Sequence, residues 1–337
     1  MHLIRPIRLG DLDALLRMAK TAGAGFTSLP PVREYLKKKI ELSLHSFAAT
    51  LKKPGHERYM FVLENTATGA VGGCCAVEAA CGLDEPFYNY HVGTTVHASR
   101  ELGIYKRTPT LYLANDYTGS SVLCSLYLRP EFRESGNGRL LSKSRFLFMA
   151  QFQKRFADKV IAEMRGVSNA RGRSPFWEVL GRNFFGLDYS QAEHTVGMGN
   201  KAFIAELMPK HPIYTVMLPK EAQKVLGQVH PHTAPALKLL EEENFRYQGY
   251  IDIFDGGPTV EAPLKEIRSI KRSRMMETRA GKPADGPPHL IANTSLTDYR
   301  CTLLPVTPAR DHLALDAATL KALKVKSGDT LRVVALG

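Results

Sequence analysis

Cysteine is scarce: Cys74, Cys75, Cys81, Cys124 and Cys301 are all that the 337 residues contain, an odd number with no C-x-x-C spacing. That argues against a disulfide framework and a zinc ribbon, and it suits a reducing compartment; no metal is expected. Long apolar runs are missing too. No stretch approaches the roughly 18 consecutive apolar residues of a membrane span. The opening MHLIRPIRLGDLDALL sets Arg5, Arg8, Asp11 and Asp13 where a secretory signal would carry its apolar core. A cytoplasmic protein away from membranes is the expectation. Helix-turn-helix, zinc-finger and RNP signatures are absent, and the basic run KEIRSIKRSR (265–274) holds no aromatic side chain on which a base could stack. It reads as a solvated face or a subunit contact, and no nucleic-acid partner is expected.

What is present is an excess of positive charge. Lys and Arg number 45 against 33 Asp and Glu, a formal net charge of +12, which permits nucleic acid, a membrane surface or a polyanionic small molecule as partner. Hydrophobic residues at 44% and charged residues at 23% exclude wholesale disorder. The length suggests about two domains.

Periodicity predicts a strand over 2–8, then a helix capped by Asp11 with Leu12, Leu15, Leu16 and Ala19 on one face. A second helix is expected over 32–50, and strands over 58–64 and 70–80 joined by the turn 65–69. Residues 81–120 read as an insertion of polar loops with one strand at 110–113. SVLCSLYL (121–128) is an almost continuous apolar strand, as for one buried on both faces. A helix over 138–156 and a strand over 160–164 follow. Ser174 and Pro175 are placed to open another helix, and Thr233 could cap one over 234–243. SPFWEVLGRNFFGLDY and TAPALKLLEEENFRYQGY are alike in layout, which hints at an internal duplication. The rest, with strands at 301–306 and 330–336 and a helix at 317–323, reads as a small β appendage.

The most informative unit is SVLCSLYLRPEFRESGNGRLLSKSRFLF, a buried strand running through Arg133, Ser135, Gly136, Asn137 and Gly138 into a helix. Helix N-termini hold unpaired N–H groups and partial positive charge, and glycines let a phosphate approach the backbone. The order R-x-x-G-x-G is neither a Walker A loop nor a dinucleotide loop. It resembles the acyl-CoA pyrophosphate loop of the GNAT-type acyltransferase superfamily, with Arg133, Gly136 and Gly138 at the fixed positions.

Longer strings carry a closer resemblance: TSLP (27–30), EPFYNY (85–90), LANDYTGSSVLCSLYL (113–128), GNGRLLSKSRFLFMA (136–150), VIAEMRGVS (160–168), SPFWEVLGRNFF (174–185), NKAFIAELMPKHPIYT (200–215), GQVHPHTAPA (227–236) and YIDIFDGGPT (250–259). On these the chain resembles the arginine/ornithine succinyltransferase family. The resemblance implies an α+β fold with a mixed sheet, built from tandem GNAT-like modules. Residues 1–195 would be the module with the CoA loop, 196–258 the half with the catalytic histidine, and 259–337 the β-rich remainder. It implies transfer of succinyl from succinyl-CoA to the α-amino group of L-arginine, or of ornithine in a dual or ornithine-preferring member. A homo-oligomer or a pairing with a related subunit is implied as well. A degenerate non-catalytic partner should have lost the loop, which this chain keeps.

The same resemblance carries succinyl-CoA onto the backbone of Leu126 and makes His230 the catalytic histidine; Leu128 on the same strand is expected to bind it too, and Arg139, near the loop in sequence, could meet the succinyl carboxylate, a CoA phosphate or only solvent. His230 sits just before a predicted helix N-terminus, where the dipole would hold its imidazole neutral. Such a ring could accept the ammonium's proton or serve the leaving thiolate, and the sequence leaves both open. Cys124 lies on the same strand but has no local His or Asp partner, so it reads as a small buried hydrophobe. A guanidinium calls for a carboxylate. Asp116, Glu163 and Glu178 are candidates, each equally able to serve a structural ion pair. The aromatic run 87–90 is expected in the core.

Overall fold

The computed structural model describes residues 1–336 apart from 23–27, 135, 170–171, 190, 193–194 and 196–201. Fifteen strands among the described residues join in one mixed sheet, and the expected α+β class holds. In chain order they are β1 (His2–Pro6), β2 (Arg58–Asn65), β3 (Val71–Glu78), β4 (Asn89–Ser99), β5 (Ile104–Ala114), β6 (Ser121–Leu128), β7 (Lys159–Glu163), β8 (Ile213–Tyr214), β9 (Arg246–Asp252), β10 (Pro258–Pro263), β11 (Arg274–Ala280), β12 (Pro288–Ala292), β13 (Cys301–Pro305), β14 (His312–Leu315) and β15 (Thr330–Ala335). Their spatial order is β14-β11-β15-β12-β13-β1-β2-β3-β6-β7-β10-β9-β4-β5-β8. Neighbours run antiparallel except β6 with β7 and β11 with β14. The C-terminal strands continue the same sheet through a pairing of Ile4 with Cys301.

Alternation along β2 and β3 assigns the two faces. Met60, Val62, Cys74 and Ala76 pack under the helices α1 (Leu12–Ala22) and α2 (Arg33–Ala48), against Leu15, Leu36 and Ile40. Each such aliphatic side chain contributes about 1.5–3 kcal/mol by leaving water. Phe61, Cys75 and Val77 face the other way, onto α3 (Asn137–Gln151). Helix α3 is buried along most of its length because the sheet covers one side and the helices Ala234–Glu241 and Arg268–Arg272 flank it elsewhere. This burial traps Lys143, which is neutralised by Glu242 and Glu243, each at 3.1 Å.

Several local expectations change. Asp11 does not cap α1; its carboxylate accepts the N–H of Arg8 at 2.8 Å and pairs with Arg5. Residues 81–120 are not a loop insertion but chiefly an eleven-rung hairpin of β4 and β5. Its β-branched and aromatic residues favour strand. Its burial on only part of its length hides the alternation that would have announced it. The Ser174 hydroxyl accepts the N–H of Trp177, yet the helix itself begins at Leu180.

Candidate functional site

The site begins where two strands part. The parallel strands β6 and β7 pair only at Ser121 with Val160 and Val122 with Ile161. Beyond these rungs they diverge, leaving their inner backbone edges open. β6 also carries a bulge against β3: Tyr127 opposes Cys74 and Cys124 opposes Ala76, so one extra residue is inserted between. Ser125 takes it up at φ +55°, an uncommon conformation for a residue with a Cβ. The bulge changes which side chains share a face. Cys124 and Tyr127 point toward α1 and α2, while Leu126 and Leu128 pack on the α3 side. A strand expected to be buried on both faces is therefore buried only as far as the fork, and half-buried past it.

The loop after β6 turns as its glycines require. Gly136 has φ +78° and heads α3, and a Cβ there would stand 2.8 Å from Leu303 Cδ2. A Cβ on Gly138 would meet nothing within 4 Å, so the side of the first turn that Gly138 presents is open. The Asn137 side chain is buried and donates to the Phe132 carbonyl at 3.0 Å, bracing the loop. Arg133 is exposed and donates through Nε to the Leu128 carbonyl at 3.0 Å. Arg139, in the first turn of α3, is exposed as well. Ser135 lies outside the described residues. A helix N-terminus with an open side and two exposed arginines close to it in the chain is suited to a phosphate-bearing ligand.

A cleft of about 610 Å³ opens at the fork on the side of α2. Carboxylates dominate its wall: Glu57, Glu78, Asp84, Glu85, Glu163, Asp252 and Asp255 line it, against Lys39, Arg58 and Arg165. Arg58 sits at the start of β2 opposite Glu78, forms an ion pair with it, and donates to Ser125 Oγ at 2.9 Å, bracing the bulge. Burial holds Asp252 well above the usual carboxylate range, with the charges of Asp255 and Glu163 adding to it. Burial also raises Asp255, opposed by the N–H groups of Gly257 and Gly166. Those bonds are 2.8 and 2.6 Å long. They fasten the chain leaving β7 to the chain leaving β9. Only glycine permits this approach: a Cβ on Gly257 would lie 2.1 Å from the Met164 carbonyl oxygen.

The chain leaving β7 also holds His230. Val229 bridges Gly166, and the His230 N–H donates to the Arg165 carbonyl at 2.8 Å. The His232 N–H donates to His230 Nδ1 at 3.1 Å. In the neutral ring this places the proton on Nε2. The imidazole's pKa lies below its ordinary value, the direction expected from the sequence. The causes are partial burial first, then the charges of Arg165 and His232.

The acidic candidates separate. Glu163 lines the cleft and accepts from Asn89 Nδ2 at 3.0 Å. Asp116 lies apart from the cleft wall, on the β5–β6 connection, and accepts the Tyr250 hydroxyl at 2.7 Å. Glu178 pairs with Arg182 one helical turn on. Cys124 lines the cleft, and burial pushes its thiol up, away from a nucleophilic thiolate. Of the aromatic run, Tyr90 is core while Phe87 and Tyr88 line the cleft. Sequence reasoning missed Arg58, Arg165, Asp252 and Asp255. The one local signal was the string FDGG, whose glycines mark a close backbone approach.

A family model described as arginine N-succinyltransferase beta subunit matches residues 2–269, and one for that subunit's C-terminal domain matches 272–335. Proteins called arginine N-succinyltransferase from Escherichia coli and Salmonella paratyphi B are each 53% identical over 338 residues, covering 100% of this chain and 98% of the relative. A solved structure, the arginine/ornithine succinyltransferase subunit AI from Pseudomonas aeruginosa, superimposes with a TM-score of 0.92 at 41% identity, covering 100% of this chain and 99% of that one.

Proposed function

The chain belongs to the arginine N-succinyltransferase family, and from that premise we propose that it moves the succinyl group of succinyl-CoA onto the α-amino group of L-arginine. The observation that carries the reading in three dimensions is the fork. One arm leads to a loop and helix end fit for CoA phosphates. The other leads to His230, and an acidic cleft fit for a cationic acceptor opens at their junction.

The thioester lies along the β6 arm, its carbonyl oxygen directed to the backbone N–H groups around Leu126 beyond the bulge. The pantetheine follows the arm past Leu128, and the pyrophosphate rests on Gly136, Asn137 and Gly138, with Arg133 and Arg139 at the rim; Ser135, expected in the same loop, lies outside the described residues. Arginine enters the cleft with its guanidinium toward Glu163, which the cleft wall supports over Asp116. Its α-ammonium gives up one proton to solvent, the free amine attacks the thioester carbon, and the nitrogen's second proton passes, by way of solvent, to the departing thiolate as the amide forms. Charge grows first on the carbonyl oxygen and then, as the C–S bond breaks, on sulfur. The Nε2–H of a neutral His230 donates to that growing charge; its Nδ1 is occupied by His232, which favours a donor role over that of base.

Arginine and ornithine are both cationic, so an ornithine-accepting variant of the reading shares this cleft. CoA release from succinyl-CoA with arginine, ornithine and lysine, and from acetyl-CoA as control donor, tests the assignment. No release with any pair sinks it, and a preference for acetyl-CoA cancels the succinyl donor. We place the CoA loop in a module of residues 1–195, the histidine in 196–258, and the β-rich remainder after them. Self-association or pairing with a related subunit is supported by apolar side chains left in water, Leu102 and Tyr105 at the β4–β5 hairpin tip and Met217 after β8, which are 72%, 68% and 82% exposed. Light scattering at several concentrations reads the assembly. No described helix is long and apolar enough to cross a membrane, and five free thiols suit a cytoplasmic setting.

A further inference from the structure

We propose that Arg165 is the carboxylate receptor of the cleft, gripping either the distal carboxylate of the succinyl donor or the α-carboxylate of the amino-acid acceptor. The inference rests on the transferase reading, in which each substrate brings one carboxylate to within a few bonds of the reacting atoms.

Three cations line the cleft, and two are engaged. Arg58 is 4% exposed and is held by Glu78, Ser125 Oγ and Cys124 Sγ. Lys39 donates to the Ser28 carbonyl at 2.7 Å and stands 4.7 Å over the Tyr35 ring. Arg165 is different. Its Nη2 donates to Ser168 Oγ at 2.9 Å, and its Nε is buried with no acceptor among the described residues. No ion pair reaches it among them. Asp255 feels its charge, but the oxygens of that carboxylate are taken by the N–H groups of Gly166 and Gly257. A half-buried guanidinium with an unsatisfied donor is stabilised by a ligand that brings an acceptor.

Placement points the same way. Leu126 is four residues past the last paired rung on β6, and Arg165 is four residues past it on the β7 side. They therefore stand on opposite arms of the fork, and Arg165 is bonded through its own carbonyl to His230. Its charge reaches the imidazole and lowers its pKa. Elsewhere the wall is largely carboxylates, which repel a carboxylate and attract a cation. The planar guanidinium, with parallel N–H groups, fits a carboxylate in bidentate fashion. A site built to pair a charged group rejects the analogue lacking it, because its own polar atoms are then stranded.

The test is calorimetric binding to wild type, Arg165→Gln and Arg165→Lys, each first checked for an unchanged melting curve. The ligands are succinyl-CoA, its neutral counterpart butyryl-CoA, arginine, and its decarboxylated counterpart agmatine. Arg165→Gln is expected to weaken one carboxylate ligand roughly 10- to 100-fold and to leave its neutral counterpart nearly unchanged, with Arg165→Lys in between. Loss confined to succinyl-CoA assigns the donor carboxylate; loss confined to arginine assigns the acceptor. Equal effects on charged and neutral ligands, or no effect on any, overturn the proposal. So does a wild type that prefers neither succinyl-CoA to butyryl-CoA nor arginine to agmatine. Wild type that binds with the expected preference yet releases no CoA defeats the transferase reading and leaves the receptor standing.

Discussion

The backbone N–H of His230 donates to the carbonyl oxygen of Arg165 at 2.8 Å. The turn ahead of the helix Ala234–Glu241 is thereby tied to the chain leaving β7, one arm of the fork, although His230 is not among the residues that line the cleft. The donor role proposed for it rests on this attachment and on the His232 N–H that occupies Nδ1.

Replacing that ring should stop turnover without unfolding the chain. His230→Ala is expected to lower kcat by roughly 10²- to 10⁴-fold, while the melting curve stays close to wild type because the side chain is only half-buried. Near-normal CoA release in this variant would remove His230 from the reaction.

The pH profile should report the same group. Burial and the charge of Arg165 hold the imidazole below its ordinary value of 6.5. Protonating Nδ1 would set a second donor against the His232 N–H and release the ring from its position, so kcat/KM falls on the acid side only below that value. Arg165→Gln removes one of the charges that depress the pKa, and its acid limb should move up toward 6.5. A limb that stays in place, or moves down, contradicts the contact.

Asp252 should trade stability for binding. Its carboxyl is held well above the usual range by burial and by neighbouring carboxylates. The folded state thus favours the protonated form. This stability is fully present below the ordinary value of 3.8 and is lost as pH rises through the raised folded value. Asp252→Asn keeps an oxygen for the N–H groups of Phe254 and Asp255 and removes the charge. At neutral pH it should melt higher than wild type and show a raised KM for arginine. A lower melting point would refute the assigned cause.

Gly136→Ala tests the loop. The substitution forces a Cβ into a left-handed conformation and against Leu303 at 2.8 Å. It should cost about 1–2 kcal/mol of stability and raise KM for succinyl-CoA more than for arginine. Equal effects on both would place the loop away from the donor.

Cys124→Ala should retain activity within about twofold, since a small buried hydrophobe is replaced by another and the thiol is pushed up rather than activated. Abolished transfer would demand an acyl-enzyme.

The sequence by itself determined the parts whose chemistry is local. A buried strand, an R-x-x-G-x-G turn and a helix follow one another in the chain, so backbone sterics and helix-end electrostatics suffice to read a phosphate site there. Strings spread along most of the chain carried the family. Of the fork only the family resemblance spoke, implying a splayed strand at 125–128; SVLCSLYL itself looks the same whether its partner stays paired or leaves after two rungs, and only the position of β7 decides that. The β4–β5 hairpin was hidden for a related reason, since burial along part of each strand leaves no regular alternation to count. Arg165 and Asp252 carried no signal at all. Their placement comes from long-range backbone contacts, Gly166 with Val229 and with Asp255, that set a guanidinium with no ion pair among the described residues and a carboxylate wall around one cleft. Charge balance in that cleft is a property of which distant segments meet: a cationic acceptor called for a locally acidic pocket despite the net charge of +12, but only the fold decided which carboxylates line the cleft.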